Sequence, residues 1–318
     1  MEDRGLRPTT PTTIWTVVVT FNAAAVIRRC LDSLCNSEVA TSVVVVDNSS
    51  SDNTVAVVED EYPEVRLVHA GTNLGFGGAC NLGAHFAGAT ADSYLFFLNP
   101  DAYVDPGCIG TLASTLGRDH QLAAVSPLLL DQATGTIRYA GAELDVKALR
   151  FGVRDWGENP AAHRYDFQHT GRPTGAAMLV RAAILDDVGP MNSTYFLYWE
   201  ETEWALRMEA KGYAIGFEPG AIAHHESSHS TGGAGSRVME YYFARNLLRM
   251  VRDATGAGTL RTSWKVRPHL VERVFDRLHA RDPRSALRTA RWVAVAYVDF
   301  WRHKTGPRSA LHLTGRSA

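Results

Sequence analysis

The sequence predicts an α/β protein: a mostly parallel central sheet flanked by helices, with a helical extension at the C-terminal end. Three observations carry this. Residues 16–21, 43–46, 65–68 and 95–98 are short β-branched, aliphatic or aromatic runs separated by helical periodicity. Apart from 65–68, which Arg66 interrupts, the runs are β-branched or apolar at consecutive positions, the mark of a strand covered on both faces. Each closes on polar or glycine-rich residues, as βαβ units do where strand gives way to helix.

In chain order, Asn22 ends the first strand, and Val26, Ile27, Cys30, Leu31 and Leu34 then recur at helical spacing. The second strand stops at Asp47-Asn48-Ser49-Ser50-Ser51-Asp52-Asn53, ahead of a helix over 54–60 capped by Asp52 or Asn53. The third leads into Gly71-Thr72-Asn73-Leu74-Gly75-Phe76-Gly77-Gly78 and a helix over 79–87. Residues 111–116 read as a helix, and 123–130 and 174–180 as strands. Glycines and prolines break the pattern over 138–172, as in binding loops or plain connections. Residues 195–199 read as an aromatic strand before a helix over 205–211, 213–217 as a short strand and 238–251 as an amphipathic helix.

At 318 residues, 45% hydrophobic and 21% charged, the chain has the composition of a soluble globular protein. The expected organisation is a loose polar tail over 1–12, rather than a signal peptide, a main domain over 13–255 and a basic helical extension over 256–318. Cys30, Cys35, Cys80 and Cys108 form no CxxC pair. This argues against a disulfide framework or a zinc site and for a reducing cytoplasm. The net charge of −2 hides an asymmetry. From Leu260 onward thirteen Lys/Arg face four Asp/Glu, a balance of +9, against −11 for the rest. A basic tail calls for an anionic partner. No nucleic-acid module accompanies it, so an anionic membrane surface fits better than nucleic acid.

Several stretches carry candidate chemistry. The buried run Leu95-Phe96-Phe97-Leu98 delivers Asn99-Pro100-Asp101 to the carboxyl end of a strand, where α/β sheets bind ligands and where Asn99 and Asp101 offer oxygens to a hard divalent cation. Asn-Pro-Asp is also ordinary turn chemistry. Asp47 ends the second strand, where it can accept from a ribose or base, or cap a turn. The glycine-rich loop, with Gly77 within it, lets backbone approach a ligand before a helix N-terminus. It is neither a P-loop nor a first-strand dinucleotide fingerprint. Glu200, Glu201 and Glu203 stand at a helix start, where acids suit the macrodipole or where one removes a proton from a hydroxyl nucleophile. Of His224, His225 and His229, one imidazole can complete an oxygen-rich Mg²⁺ or Mn²⁺ site, while a zinc enzyme is disfavoured.

Seven segments in order then resemble the inverting nucleotide-sugar glycosyltransferases of family two, which have the GT-A fold. They are Val17-Val18-Val19-Thr20-Phe21-Asn22, Val46-Asp47-Asn48-Ser49-Ser50-Ser51-Asp52, Asn73-Leu74-Gly75-Phe76-Gly77-Gly78-Ala79-Cys80-Asn81, Phe97-Leu98-Asn99-Pro100-Asp101-Ala102, Trp199-Glu200-Glu201-Thr202-Glu203, Pro219-Gly220-Ala221-Ile222-Ala223-His224-His225 and Arg245-Asn246. Within the family they are most similar to rhamnosyltransferases and galactofuranosyltransferases of bacterial cell-envelope assembly. The resemblance implies that Thr20, Asn22, Asp47 and Asn73 hold the nucleotide, with Asn81 near the diphosphate. Asn99 and Asp101 stand at the family's Asp-x-Asp metal motif, Glu201 at its catalytic base, and His225 at a histidine that completes the Mg²⁺ or Mn²⁺ site in some members. Three residues depart from the pattern: Asn99 for the first aspartate, Glu201 for an aspartate base, and Phe21 for the commoner tyrosine.

The implied reaction transfers a sugar from a dTDP- or UDP-linked donor, dTDP-rhamnose first, to a hydroxyl of a glycolipid or polysaccharide acceptor. A non-catalytic nucleotide-sugar or glycan binder and a sugar-nucleotide pyrophosphorylase are the rival readings. Ala23-Ala24-Ala25 argues against the pyrophosphorylase, which needs a basic glycine-rich loop after the first strand. Residues 267–279 and 285–303 read as two helices split by Asp282-Pro283, the second too short in its apolar run to span a bilayer. They suit either the inner membrane interface or docking on the main domain or on a second subunit of a homo-oligomer.

Overall fold

The computed structural model describes residues 13–226 and 236–311. The tail expected over 1–12, His229 and the glycines at 232–235 lie outside the described residues. The first half alternates β1 (Ile14–Thr20), α1 (Ile27–Cys35), β2 (Ser42–Asp47), α2 (Thr54–Glu61), β3 (Arg66–His69), α3 (Gly75–Ala87) and β4 (Tyr94–Leu98). Then follow β5 (Ala102–Val104), α4 (Cys108–Arg118), β6 (Leu122–Asp131), β7 (Ile137–Tyr139), β8 (Gln168–Thr170) and β9 (Ala177–Arg181). The chain continues through α5 (Ile184–Asp187), α6 (Glu200–Ala210), β10 (Ala214–His225), α7 (Arg237–Thr255), α8 (Thr259–His279) and α9 (Pro283–Trp301).

One sheet runs β3-β2-β1-β4-β9-β6-β10-β5, with β7 on β6 and β8 on β10. Its first four strands are parallel, as expected. Beyond β4 it is mixed: β9 is antiparallel to both β4 and β6, and β10 is parallel to β6 but antiparallel to β5 and β8. A strand buried on both faces carries no alternation that could report its direction, so the reversal at β9 is silent in the sequence.

Alternate residues along each strand feed two cores. Val18, Val45 and Phe96 pack with α1, α2 and α4, while Val17, Val44 and Phe97 pack with α3 and α6. Gly83 of α3 lets that helix sit directly on β1, since a Cβ there would overlap the Val17 side chain. At α2 the capping role falls to Asp52, whose Oδ1 accepts from Thr54 N at 3.0 Å, while the Asn53 side chain makes no cap bond.

A third apolar cluster joins α7, α8 and α9 to the aromatic segment before α6. Buried Glu240 of α7 accepts Arg273 at 3.1 Å and Arg277 at 3.5 Å from α8. Buried Asp299 of α9 accepts the Tyr241 hydroxyl at 2.8 Å and pairs with Arg308. Removing one partner of a buried pair costs about 3–5 kcal/mol; the apolar cluster itself docks the inner faces of α8 and α9 on α7. Among the described residues no helix is long and apolar enough to cross a membrane.

Candidate active site

At the carboxyl edge of β1, β2 and β4 lies a cleft of about 270 Å³. Asn99, Pro100 and Asp101 form one wall, with His225 from the tip of β10 beside them. Gly175, Ala176, Leu197, Tyr198, Glu200 and Glu201 form another, and Val19, Phe21, Asn48, Asn73 and Phe76 line the side toward β2.

β10 is what brings His225 here. It passes through Pro219 and Gly220 on a register shift, where the sequence reading ends the strand at Phe217, and re-pairs with β6 from Ile222. His225 pairs across the sheet with Ala102, which sets its imidazole beside Asp101. His225 Nε2 stands 3.1 Å from Asp101 Oδ1 and 3.5 Å from Asn99 Nδ2. Turning the Asn99 amide over would present its oxygen at the same place. A carboxylate, an amide oxygen and an imidazole so close together suit Mg²⁺ or Mn²⁺. His224 faces elsewhere, stacked on Tyr103 and bonded to Asp105 at 3.0 Å.

The two glutamates occupy unlike surroundings. Glu201 is partly open to the cleft, with Thr202 Oγ1 donating to its Oε1 at 3.2 Å and Arg172 Nη1 3.8 Å from the same oxygen. Glu200 is buried, and its Oε2 has no hydrogen-bond partner among the described residues. Burial, with the neighbouring Glu201 charge adding to it, pushes the Glu200 carboxyl up to about 8.

Residues 195–199 are not the aromatic strand that the sequence suggests. A 3₁₀ turn at Ser193–Tyr195 is followed by Phe196, Tyr198 and Trp199 with φ of 71°, 65° and 75°. Non-glycine residues adopt that region only when their surroundings impose it. Here α7 does so: Asn246 Nδ2 donates to the carbonyls of Tyr195, Leu197 and Tyr198, and Arg245 Nη2 donates to that of Tyr195 at 2.7 Å. The helix then starts at Glu200, five residues before the expected Ala205, so both glutamates project from its first turn.

The glycine-rich stretch also differs from expectation, because α3 begins at Gly75 rather than at residue 79. Gly75, at φ 74°, runs so close to Phe196 that a Cβ would strike its carbonyl. Gly77 lies under the Glu200 side chain and Met191, and does not line the cleft. Asn81 is not at the cleft either, since both ends of its amide bind the Met191 backbone, at 2.8 and 3.1 Å. Asp47 is buried at the end of β2, accepting from Ser50 N, and Asn22 (φ 51°) accepts from Ser51 N at 2.8 Å. Thr20 is fully buried and its hydroxyl has no partner among the described residues. These three lie beside the β2 end of the cleft without lining it.

The cleft also uses residues that the sequence reading did not single out. Asn48 locks the glycine-rich stretch through Leu74 N at 2.7 Å and Asn73 Oδ1 at 3.1 Å, and its place directly after Asp47 was the available signal. Arg172, in the irregular stretch, had none. A separate cluster of Asp155, Glu158 and His163 is tied up internally, with His163 bonded to Glu158 at 2.8 Å and Tyr165 to Asp155 at 2.6 Å.

Residues 15–189 match the family described as "Glycosyl transferase family 2". Over 284 residues the chain is 29% identical to an N-acetylglucosaminyl-diphospho-decaprenol L-rhamnosyltransferase of Mycobacterium tuberculosis, covering 81% of this chain and 92% of that protein. Among solved structures, GalNAc-T7 with UDP, GalNAc and Mn²⁺ superposes with a TM-score of 0.57 at 14% identity, over 82% of this chain but only 57% of that one. The mannosyltransferase PcManGT of Pyrobaculum calidifontis, in complex with GDP-Man and Mn²⁺, gives 0.55 at 17% identity, over 92% of this chain and 76% of that one. At such identities the structural likeness speaks for the GT-A fold.

Proposed function

We propose, for a chain that belongs to glycosyl transferase family 2 and is a glycosyltransferase, that it moves a sugar, with rhamnose from dTDP-rhamnose the first candidate, onto a hydroxyl of a lipid-linked glycan. The single observation that supports this most is the convergence of Glu201 with Asp101 and His225 on one cleft at the sheet's carboxyl edge. The mycobacterial relative, named for a lipid-linked acceptor, supports the choice of sugar and acceptor.

Asn73, Asn48 and Phe76 bind the nucleoside side of the donor, next to Asp47 and Asn22. Asp101, Asn99 and His225 would hold Mg²⁺ or Mn²⁺, which when bound offsets the charge gathering on the leaving diphosphate. Glu201 takes the proton of the acceptor hydroxyl as that oxygen bonds to the anomeric carbon. The bond from that carbon to the diphosphate oxygen breaks in the same displacement, so the configuration inverts. Arg172 steadies the Glu201 carboxylate, and Leu197 and Tyr198 close the acceptor side. This chemistry belongs at the cytoplasmic face of a membrane, where lipid-linked sugars meet soluble nucleotide donors.

A thermal-shift panel of dTDP- and UDP-sugars, each with Mn²⁺ or with EDTA, tests the donor and metal together. Stabilisation by dTDP-rhamnose in Mn²⁺ alone is expected, followed by transfer to N-acetylglucosaminyl-diphospho-polyprenol with inverted anomeric configuration by NMR. Stabilisation that EDTA leaves unchanged, or a product of retained configuration, would overturn the reading.

A further inference from the structure

The inner faces of α8 and α9 are docked on α7, yet their outer faces keep apolar side chains in water. On α8, Leu260, Trp264, Val271, Phe275 and Leu278 follow one another at three-, four- and seven-residue spacing, which puts them on one stripe. Leu260 is 70% exposed and Trp264 68%, so these are not edges of the core. On α9 steps of eleven and three residues, close to whole helical turns, align Leu287, 75% exposed, with Val298 and Trp301. The two stripes meet where Trp301 Nε1 donates to Ser263 Oγ at 3.0 Å, one residue from Trp264. The two exposed apolar stripes thus meet at this end of the hairpin, a feature that calls for a partner.

Charge selects which partner. Between residues 259 and 304 eight exposed Lys/Arg face three exposed Asp/Glu. Arg284, Arg291 and Arg302 interleave with the α9 stripe, and Arg267 lies over the Trp264 ring, 4.2 Å from its centroid. A second copy of the hairpin would bring like charge against like, whereas a phosphate-rich lipid surface complements it. Aromatic and aliphatic residues with basic side chains reaching past them are how helices lie in a bilayer interface.

We infer that the outer face of the α8–α9 hairpin docks on an anionic lipid membrane. The inference stands on this surface alone, whatever the donor sugar. The hairpin also ties that face to the segment ahead of the cleft: the α8 residue His269 has its ring 6.4 Å from Phe151, which packs at 5.2 Å on Trp199 immediately before Glu200.

The test is sedimentation of the full chain with vesicles of phosphatidylglycerol and phosphatidylcholine, and with phosphatidylcholine alone. Binding to the anionic vesicles is expected at low salt, weakening in 0.5 M NaCl by roughly the screening of surface charge. One variant carries Trp264→Ser, Phe275→Ser and Leu287→Ser, another Arg261→Glu, Arg284→Glu and Arg291→Glu. Each should lower partition at least about 10-fold, with roughly 5-fold lost per basic residue removed. Both should keep the wild-type melting temperature and its shift with dTDP and Mn²⁺, because none of these residues touches the cleft. Binding that neither variant weakens, or a dimer that both variants dissociate with no vesicle binding, would overturn the inference. Absence of a dTDP shift in the wild type with vesicle binding intact would count against the dTDP-linked donor alone.

Discussion

Asn246 Nδ2 stands 2.7 Å from the carbonyl oxygen of Leu197, and the same nitrogen reaches Tyr195 and Tyr198. A fully buried amide on α7 thus holds the left-handed segment from which α6 and its glutamates project. Asn246→Ala takes this donor from the Leu197 and Tyr198 carbonyls, while Tyr195 keeps Arg245, a cost of about 1–3 kcal/mol. The melting temperature should fall, and kcat should fall roughly 10-fold or more as Glu201 loses its placement, with donor KM less affected. Thermal melts beside steady-state kinetics check both.

Glu201→Gln keeps size and shape but cannot take a proton. Turnover should drop about 100-fold or more while donor binding by calorimetry stays near wild type. Near-normal turnover would remove Glu201 from the role of base.

Asp101→Ala removes the only carboxylate of the Asn99–Asp101–His225 group. Donor binding in Mn²⁺ should fall to the level the wild type shows in EDTA. Titration calorimetry with and without chelator reads this directly.

Glu200 predicts a pH-dependent stability. Its carboxyl, ordinarily near 4.5, is pushed up to about 8 in the folded chain, so between those values the folded state holds a proton the unfolded state has lost. The contribution is fully present below about 4.5 and is lost as pH climbs to about 8. Glu200→Gln should flatten that slope and be relatively more stable than wild type at pH 8, as melts from pH 5 to 9 will show.

Gly75→Ala places a methyl group against the Phe196 carbonyl at a φ of 74°. It should destabilise by about 2 kcal/mol or more and disturb the Phe76 N to Phe196 O bond, now 2.8 Å. Chemical denaturation measures the loss.

What was legible in the chain is what local chemistry states. The apolar runs ending at Asp47 and Asn99 are strands ending there, because burial on both faces and a polar stop leave little else. Asp101, Glu201 and His225 come to one cleft, while Asp47, expected there with them, stops beside it. Three features were not legible, each decided at long range. Tyr195 to Trp199 has the composition of a strand, and long-range hydrogen bonds, from α7 and from Phe76 N, hold its left-handed turns. Asn81 lies in a binding-like segment, yet its partner is Met191, far along the chain. Glu200 and Glu201 are neighbours of the same type, and only the packing of α6 on α3 buries one and opens the other.

Arg245 donates both to the Tyr195 carbonyl and to the carbonyl of Gly306, and Gly306 N in turn donates to Thr194 O at 2.8 Å. A nascent chain that has emerged only through α6 therefore holds this segment by the Phe76 N to Phe196 O bond but without its α7 donors. The donors that fix this segment lie on α7, and the stretch after α9 adds a further tie at residue 194, so chains shortened ahead of α7 to isolate the sheet would sacrifice the geometry they set out to study.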